Sequence, residues 1–327
     1  MDWKILYIIK MGLYYNIFLG VMVMLAVYQL YQEVQYSKLE NNKFSHVTTT
    51  PDEEETSLFT VVFQFPPHLL YGAKPLSPAY LSSQGRTDVS IVLGVPTLDE
   101  GTDSHLRATL YNLIENMSAE DQRDTLIVVY IGEEDETIIE PIVQQIEENF
   151  AEHLKSGLID IVVPEESYYY PFLQEDLSKL SKQNVDLAYL MAYAHAKGQF
   201  YVQLTDAVLP KPNFVRHMRK FALVRLALNN PFQPTWFLLD FFPNEVAGKL
   251  FKGEELPYLI TYLHVFYKDI LWTSLIENFI TSTLCHKGAE ECLLQMTTYW
   301  QTYDIPLFQR FGNVTLSEKL RLLSSKT

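Results

Sequence analysis

The sequence predicts an α/β fold in which a mostly parallel sheet is flanked by helices. Apolar, β-rich runs alternate with runs that have amphipathic helical spacing, an order that is typical of such a sheet. Hydrophobic residues make up 48% of the 327 residues, which indicates a folded protein and not a disordered one. A chain of this length forms one large domain or two small ones.

The predicted elements follow one another from residue 88. Short β-rich runs predict strands over residues 88–95, 125–131, 158–163, 199–204 and 235–241. Apolar positions at helical spacing predict helices over 103–117, 135–156 and 183–197. The stretch 257–280 is interpreted as a pair of buried helices and not as a membrane span, because His264, Lys268 and Asp269 lie inside it.

The same order of elements predicts where a ligand would bind. In an open parallel sheet, ligands lie beyond the carboxyl ends of the strands. One crevice is therefore expected around the residues that follow four strands, which end at Val95, Ile131, Val163 and Leu204.

The N-terminus has the pattern of a membrane anchor. Residues 11–30 form a run of twenty residues without a charge, and Lys4 and Lys10 precede it. About 20 apolar residues span a bilayer, and a positive N-terminal flank favours a cytoplasmic tail. We predict a cytoplasmic tail at 1–10, a transmembrane signal-anchor at 11–31, a luminal stem at 32–57 and a luminal domain at 58–327. The alternative is a cleaved signal peptide.

Other features bear on a luminal address and on partners. Asn116 and Asn313 begin Asn-X-Ser/Thr triplets and are candidate glycosylation sites. Cys285 and Cys292 are the two cysteines and form a candidate disulfide in an oxidising lumen, or else are two unpaired thiols. The net charge of −15 argues against nucleic acid as a partner.

Six motifs in one order give the predicted luminal domain a family resemblance. They are VSIVLGVPT at 89–97, SYYYP at 167–171, KQNVD at 182–186, GKLF at 248–251, FYK at 266–268 and LFQ at 307–309. With these motifs the chain resembles the N-acetylglucosaminyltransferase IV family, the alpha-1,3-mannosyl-glycoprotein 4-beta-N-acetylglucosaminyltransferases. Each motif is weak alone, and their shared order makes the resemblance specific.

The resemblance implies a glycosyltransferase A-type fold and a place in the Golgi membrane. In active members it implies transfer of N-acetylglucosamine from UDP-N-acetylglucosamine, in β1,4 linkage, to the α1,3-mannose arm of an N-glycan or glycoprotein acceptor. That reaction needs positive charge at the leaving diphosphate, from Mn²⁺ or Mg²⁺ or from fixed cations. It also needs a general base for the incoming hydroxyl.

The expected metal site departs from the family pattern. Active members carry Glu-Asp-Asp where this chain has Thr205-Asp206-Ala207, so Ala207 occupies the expected ligand position. A methyl group cannot coordinate Mg²⁺ or Mn²⁺, which require oxygen ligands. We therefore predict no metal ligand and no cofactor, with Mn²⁺ or Mg²⁺ and UDP-N-acetylglucosamine expected only if the protein is active. Asp206 is a candidate donor contact or an ordinary polar residue at a strand end.

The expected diphosphate contacts are also incomplete. The family's two arginines before KQN fall on Ser178 and Leu180, whereas Lys182 is retained. Arg310 stands where the family has a histidine, either near the phosphates or as a surface side chain. Asp186 either touches the nucleotide or packs against the sheet. The candidate UDP-sugar contacts are thus Asp206, Lys182, Asp186 and Arg310.

Two functional hypotheses follow from these departures. Asp240 falls where the family has a glutamate, so it is the candidate catalytic base if the protein is active. The lost charges favour a catalytically silent or very weak homologue that binds or modulates other N-glycan-branching glycosyltransferases. The alternative is an active transferase. The chain also stops before the lectin-like C-terminal region of typical members, so that region is expected to be absent.

Overall fold

In the computed structural model, the described residues are 78–97, 103–172, 178–227, 236–268, 270–284 and 296–311. The predicted tail, anchor and stem lie outside these residues, as do Asn313, Cys285 and Cys292. Within the described ranges, no helix combines the length and apolar character needed to cross a membrane.

Among the described residues, eight strands form one sheet at the centre of the domain. They are β1 (Pro78–Ser82), β2 (Val89–Pro96), β3 (Thr125–Tyr130), β4 (Ile159–Pro164), β5 (Gly198–Gln203), β7 (Leu238–Asp240), β8 (Lys249–Lys252) and β9 (Trp300–Thr302). Their order is β1-β4-β3-β2-β5-β8-β7-β9, and β1 and β8 run antiparallel to the others. Two further strands, β6 (Val208–Pro210) and β10 (Phe308–Arg310), pair as an antiparallel ribbon. The predicted mixed α/β fold with a mostly parallel sheet is confirmed.

Helices connect the strands. They are α1 (Asp103–Glu115), α2 (Ala119–Arg123), α3 (Glu136–Lys155), α4 (Lys179–His195), α5 (Phe214–Ala227), α6 (Leu256–Val265) and α7 (Trp272–Phe279). Short turns at Glu166–Tyr168, Tyr170–Phe172 and Gly253–Glu255 are 3-10 helical, and Ile280–Leu284 is π-helical. The predicted pair of buried helices at 257–280 is confirmed as α6 and α7, whose inner faces are buried.

The two faces of the sheet are covered by different helices. Ile91 and Leu93 of β2 belong to the core beneath α1, α3 and α5, whereas Val92 belongs to the core beneath α4, α6 and α7. Successive side chains of a strand point to opposite faces, so a strand that is covered on both sides is apolar throughout. This is why the central strands could be recognised from the sequence.

The neighbouring strands β2 and β5 approach each other closely at Gly94. A Cβ atom at this position would come within 2.7 Å of the Tyr201 ring carbon Cε2. The Tyr201 hydroxyl in turn donates to the side-chain oxygen of Gln203. Glycine is therefore required at position 94 for space, which accounts for the glycine inside the motif at 89–97.

A buried histidine joins α6 to the 3-10 turn after β4. The Tyr168 hydroxyl donates to the Val185 carbonyl at 2.8 Å and lies 3.0 Å from His264 Nε2. Because the single tyrosine proton is used by Val185, His264 Nε2–H donates to the tyrosine oxygen. Burial away from water lowers the pKa of His264 from 6.5 to about 4. The folded protein therefore holds this side chain neutral.

We expect the free energy of unfolding to decrease through His264 as the pH falls. The unfolded chain protonates this residue below about pH 6.5 and the folded chain only near pH 4, so the stabilisation is complete above 6.5 and is lost towards 4. At about 1.36 kcal/mol per pKa unit, the loss approaches about 3 kcal/mol.

Denaturant unfolding between pH 7 and pH 4 measures this effect. The control variant is H264Q, because glutamine keeps a hydrogen-bond donor and does not titrate. The unfolding free energy of the variant should depend less on pH than that of the unchanged protein. Identical pH dependence in the two proteins would contradict the assignment.

Candidate functional site

The carboxyl edge of the sheet has a topological switch point between β2 and β5. From β2 the chain passes through α1 to β3 and through α3 to β4, whereas α4 returns it to β5 on the other side of β2. Connections that leave in opposite directions open a crevice at the strand ends. Neighbouring strands are about 4.8 Å apart, so the ends of β3 and β5 are about 10 Å apart.

Thr97 follows β2 at this crevice. Its backbone N–H donates to the Tyr130 carbonyl at 2.8 Å. Its hydroxyl oxygen is buried and makes no hydrogen bond with any described residue. Buried polar atoms are paired in the great majority of cases. Several buried polar atoms of the described residues share this state, and the Thr97 hydroxyl is distinguished by its place at the carboxyl end of β2, which nothing in the sequence indicated.

The turn after β5 is held from both sides. The Leu204 N–H donates to the Gly94 carbonyl at 2.9 Å, which continues the pairing of β2 with β5. From α1, the Thr109 hydroxyl lies 2.6 Å from the carbonyl oxygen of Asp206 and 3.2 Å from that of Val208. Thr109 itself is fully buried. The backbone of this turn is therefore fixed at the edge of the crevice.

The residues of this turn do not fit a divalent-cation site. Asp206 supplies one carboxylate, and the next position is the methyl group of Ala207. Among the described residues, no group of three or more His, Cys, Asp or Glu side chains is arranged to hold a metal ion. Mg²⁺ and Mn²⁺ require several oxygen ligands. The predicted absence of a metal stays a prediction, and no chemical step is assigned to one.

Arg310 lies beside the same turn. β10 pairs with β6 so that Arg310 is opposite Val208, and the N–H of the next residue, Phe311, donates to the Ala207 carbonyl at 3.1 Å. The Arg310 side chain is 65% exposed, and its Nε donates to Glu245 Oε2 at 2.7 Å. The tertiary structure thus brings a permanent cation to the end of β5.

Lys182 and Asp186 lie together at the end of β3. Both belong to α4, and Lys182 Nζ lies 3.1 Å from Asp186 Oδ2. Lys182 also donates to the carbonyl of Gly132, which follows β3. The Lys182 side chain is 27% exposed, so it keeps a solvent-accessible part at the carboxyl edge. This position is compatible with the predicted contact between Lys182 and the UDP-sugar, which stays a prediction.

The Asp186 carboxylate is enclosed by tyrosines. Its Oδ1 accepts hydrogen bonds from the hydroxyls of Tyr130, at 2.8 Å, and Tyr169, at 2.5 Å. Burial raises the pKa of Asp186, while the Lys182 charge and the two hydroxyl donors partly offset the rise. Burial also raises the pKa of both tyrosines, with a further contribution from Asp186. In this structure Asp186 is a packed residue, and its contact with a nucleotide stays a prediction.

Asp240 ends β7 in a separate buried cluster. Its Oδ1 accepts from Lys249 Nζ at 2.6 Å and from the Phe242 N–H at 3.0 Å, and its Oδ2 accepts from Trp300 Nε1 at 3.1 Å. Asp240 is only 3% exposed. Burial lowers the pKa of Lys249, and Asp240 offsets part of that change. A general base must lie within hydrogen-bond distance of the hydroxyl that it deprotonates. Here both carboxylate oxygens of Asp240 already accept hydrogen bonds from three protein donors.

The structure thus divides the candidate residues among three strand ends. Asp206, Ala207 and Arg310 meet at the end of β5, Lys182 and Asp186 meet at the end of β3, and Asp240 lies at the end of β7. Lys249 and Trp300 were not identifiable from the sequence as partners of Asp240. Asp240 meets Lys249 through the antiparallel register of β7 and β8, and a lysine inside the apolar GKLF motif was the available signal.

Asn116 is the candidate glycosylation site within the described residues. Its Nδ2 donates to the Asn112 carbonyl at 2.8 Å. Ser118 of the same triplet caps α2 by accepting from the Asp121 N–H. Both polar side chains of the triplet are thus used in local structure, and glycosylation at this position stays a prediction.

We expect loss of the Asp240 charge to destabilise the fold strongly. D240N leaves the buried Lys249 ammonium without its counter-charge, and breaking such a pair costs about 3–5 kcal/mol of unfolding free energy. The double variant D240N/K249M should be less damaged, because it leaves no unpaired buried charge. E147Q, at an exposed side chain away from Lys249, is the control and should change stability by about 1 kcal/mol or less. Denaturant unfolding measures all three, and a double variant as unstable as D240N would refute the expectation.

The chain has sequence relatives over most of its length. The family model described as the MGAT4 conserved region matches residues 41–326. Alpha-1,3-mannosyl-glycoprotein 4-beta-N-acetylglucosaminyltransferase A of Bos taurus is 33% identical over 310 residues, which cover 90% of this chain and 57% of that protein. The B form of Homo sapiens is 32% identical over 279 residues, 81% of this chain and 50% of that protein. The chain therefore spans about half the length of the curated relatives it matches.

Solved structures add less than the sequence relatives do. A mannosyltransferase from Pyrobaculum calidifontis, solved with GDP-Man and Mn²⁺, has a TM-score of 0.34 and 15% identity. The match covers 62% of this chain and 56% of that chain, and the score is too low to carry an argument. The family model, in contrast, covers most of the chain and confirms the resemblance seen in the six motifs. The chain belongs to the MGAT4 family of alpha-1,3-mannosyl-glycoprotein 4-beta-N-acetylglucosaminyltransferases.

Proposed function

We propose that this chain is a single-pass type II protein of the Golgi membrane with a glycosyltransferase A-type domain. It acts in N-glycan branching by binding or modulating other glycosyltransferases, with little or no sugar transfer of its own. The observation that carries the proposal is the fixed turn after β5, where Ala207 stands at the ligand position and Arg310 lies alongside. Family membership supports the pathway, because the curated relatives are named as N-acetylglucosaminyltransferases.

The missing charges support a silent site in quantitative terms. Departure of UDP places negative charge on the diphosphate, and loss of one preorganised electrostatic contact typically costs about 10²–10³ in rate. Ala207 replaces one ligand, and Ser178 and Leu180 replace two arginines of the family pattern. Several losses of this size leave little transfer unless another group compensates.

The location of the candidate base supports the same proposal. Asp240 would have to leave Lys249 and Trp300 before it could accept a proton from an acceptor hydroxyl. Exposing or unpairing a buried charged pair costs several kcal/mol. That cost would be added to the barrier of the chemical step.

The alternative is an active enzyme that transfers N-acetylglucosamine from UDP-N-acetylglucosamine, in β1,4 linkage, to the α1,3-mannose arm of N-glycans. The observation that favours it is the topological switch point between β2 and β5, with Lys182 near the end of β3 and Asp206 after β5. A transfer assay separates the two proposals.

We expect the full-length protein to transfer no sugar above background. It would be incubated with labelled UDP-N-acetylglucosamine, a biantennary N-glycan and Mn²⁺, with the Homo sapiens B form as the positive control. A rate at least about 10⁴-fold below the control is expected from two or more lost contacts. A rate within about tenfold of the control would establish the active alternative.

Restoring the acidic turn tests how far the loss extends. In T205E/A207D the turn regains the family's Glu-Asp-Asp, but Ser178 and Leu180 remain. We expect the variant to stay at least about 100-fold below the control, because the diphosphate still lacks its arginines. Recovery of the full control rate would show that the departure is confined to the metal site.

We expect the protein to co-purify with other N-glycan-branching transferases from Golgi membranes. The control is residues 1–57 fused to a fluorescent protein, which tests whether the predicted tail, anchor and stem are sufficient for capture. Enrichment of a transferase with the full chain over this control supports a role for residues 58–327. Recovery of the full chain without any transferase would count against the proposal.

A further inference from the structure

We propose that the crevice binds a nucleoside diphosphate without a divalent cation, with the Arg310 guanidinium in place of the metal. This inference rests on the proposed function in one respect only, namely that the crevice is the donor site of the family. It names a nucleoside diphosphate as the molecule bound at a site where Ala207 stands in place of a metal-coordinating residue.

The position of Arg310 is the first support. The pairing of β10 with β6 and the hydrogen bond from Phe311 N–H to the Ala207 carbonyl fix its backbone beside the turn. Its side chain is 65% exposed and can therefore meet a ligand from solvent. A guanidinium is charged at every physiological pH and donates two parallel hydrogen bonds to phosphate oxygens.

The present partner of Arg310 can be exchanged. Its Nη2 and Nε lie 2.5 Å and 2.7 Å from the same oxygen, Glu245 Oε2. The pair is partly exposed, with the Arg310 side chain 65% and the Glu245 side chain 21% exposed, so it contributes on the order of 1 kcal/mol and leaving Glu245 has a small cost. A diphosphate offers more charge and more acceptor oxygens than one carboxylate. Glu245 then competes with the diphosphate for the Arg310 guanidinium and is its partner when no diphosphate is bound.

Two other groups at the same edge suit the rest of such a ligand. The buried Thr97 hydroxyl has no hydrogen-bond partner among the described residues and lies at the end of β2. Lys182, partly exposed, donates to Gly132 at the end of β3. The ends of β3 and β5 are about 10 Å apart, because neighbouring strands are about 4.8 Å apart. The end of β2, which bears Thr97, lies between them. The edge therefore offers one unsatisfied polar group and cations on both sides of it.

The same arrangement disfavours a metal. A guanidinium and a divalent cation repel each other at short range, and the repulsion grows where water is excluded. Asp206 is one carboxylate, and Mg²⁺ or Mn²⁺ at this turn would need further oxygen ligands. Diphosphate binding through Arg310 is therefore expected to need no metal.

The test is a calorimetric titration of the full-length protein, in detergent, with UDP as the probe. Binding would be measured in EDTA and in Mn²⁺, and UDP should bind in EDTA and no more tightly in Mn²⁺, because the metal neutralises the diphosphate charge that Arg310 would bind. R310Q should weaken binding by about tenfold or more, since a hydrogen bond to a charged group contributes about 1.5–3 kcal/mol. R310K keeps the positive charge but loses the two parallel N–H groups of the guanidinium, so its dissociation constant should lie between those of the unchanged protein and R310Q.

E245Q is the variant that separates a ligand role from a structural one. Both R310Q and E245Q break the same ion pair, so a purely structural role predicts the same direction of change. The proposed role predicts opposite directions, because E245Q frees the guanidinium and removes a competing negative charge. The control is R216Q, which changes an exposed arginine on α5 and should leave UDP binding unchanged.

The outcomes are exclusive. Binding that strengthens tenfold or more with Mn²⁺, no binding in EDTA, or R310Q equal to the unchanged protein would each overturn the inference. None of these results would touch the proposed function, which is tested by transfer and by co-purification. Conversely, an active transferase that binds UDP equally well in EDTA would sustain this inference and refute the silent role.

Discussion

The pairing of β2 with β5 is the interaction on which the rest of the structure depends. Leu93 is paired with Val202 and Gly94 with Gln203, and the Leu204 N–H extends the pairing to the Gly94 carbonyl. This places β5 on the side of β2 opposite to β3 and thereby creates the switch point. The same pairing fixes the turn with Asp206 and Ala207 at the carboxyl edge of the sheet, beside this switch point.

Buried charge is the second constraint on this acidic chain. Three buried or partly buried aspartates of the described residues are paired with lysines, in Asp160–Lys197, Asp186–Lys182 and Asp240–Lys249, at 3.6, 3.1 and 2.6 Å. Leaving one member of such a pair alone costs several kcal/mol, so these lysines stabilise the fold. Asp186 and Asp240, which the sequence singles out for chemistry, are both held in this way. Arg310 differs from them because its side chain is 65% exposed although it also pairs with a carboxylate, that of Glu245.

Most elements with a long periodic pattern were predictable, whereas the short ones and the 14-residue helix α5 were not. The central strands and the helices α1, α3 and α4 lie close to their predicted bounds, because burial on both faces or on one helical stripe gives a clear pattern. The predicted strand at 235–241 shortens to Leu238–Asp240. Strands β6, β8, β9 and β10 contain three or four residues and show no usable alternation, so only pairing with distant strands defines them.

The sequence by itself determined the fold class, the family and the presence of Ala207 where a metal ligand is expected, because each depends on residue type and order. Only the tertiary structure decided which charges meet. Trp300 reaches Asp240 across 60 residues of sequence, and Arg310 reaches Glu245 across 65. Such contacts are set by strand register and not by local spacing. For that reason the sequence could name Asp240 and Arg310 as candidates but could not show that one is enclosed and the other exposed.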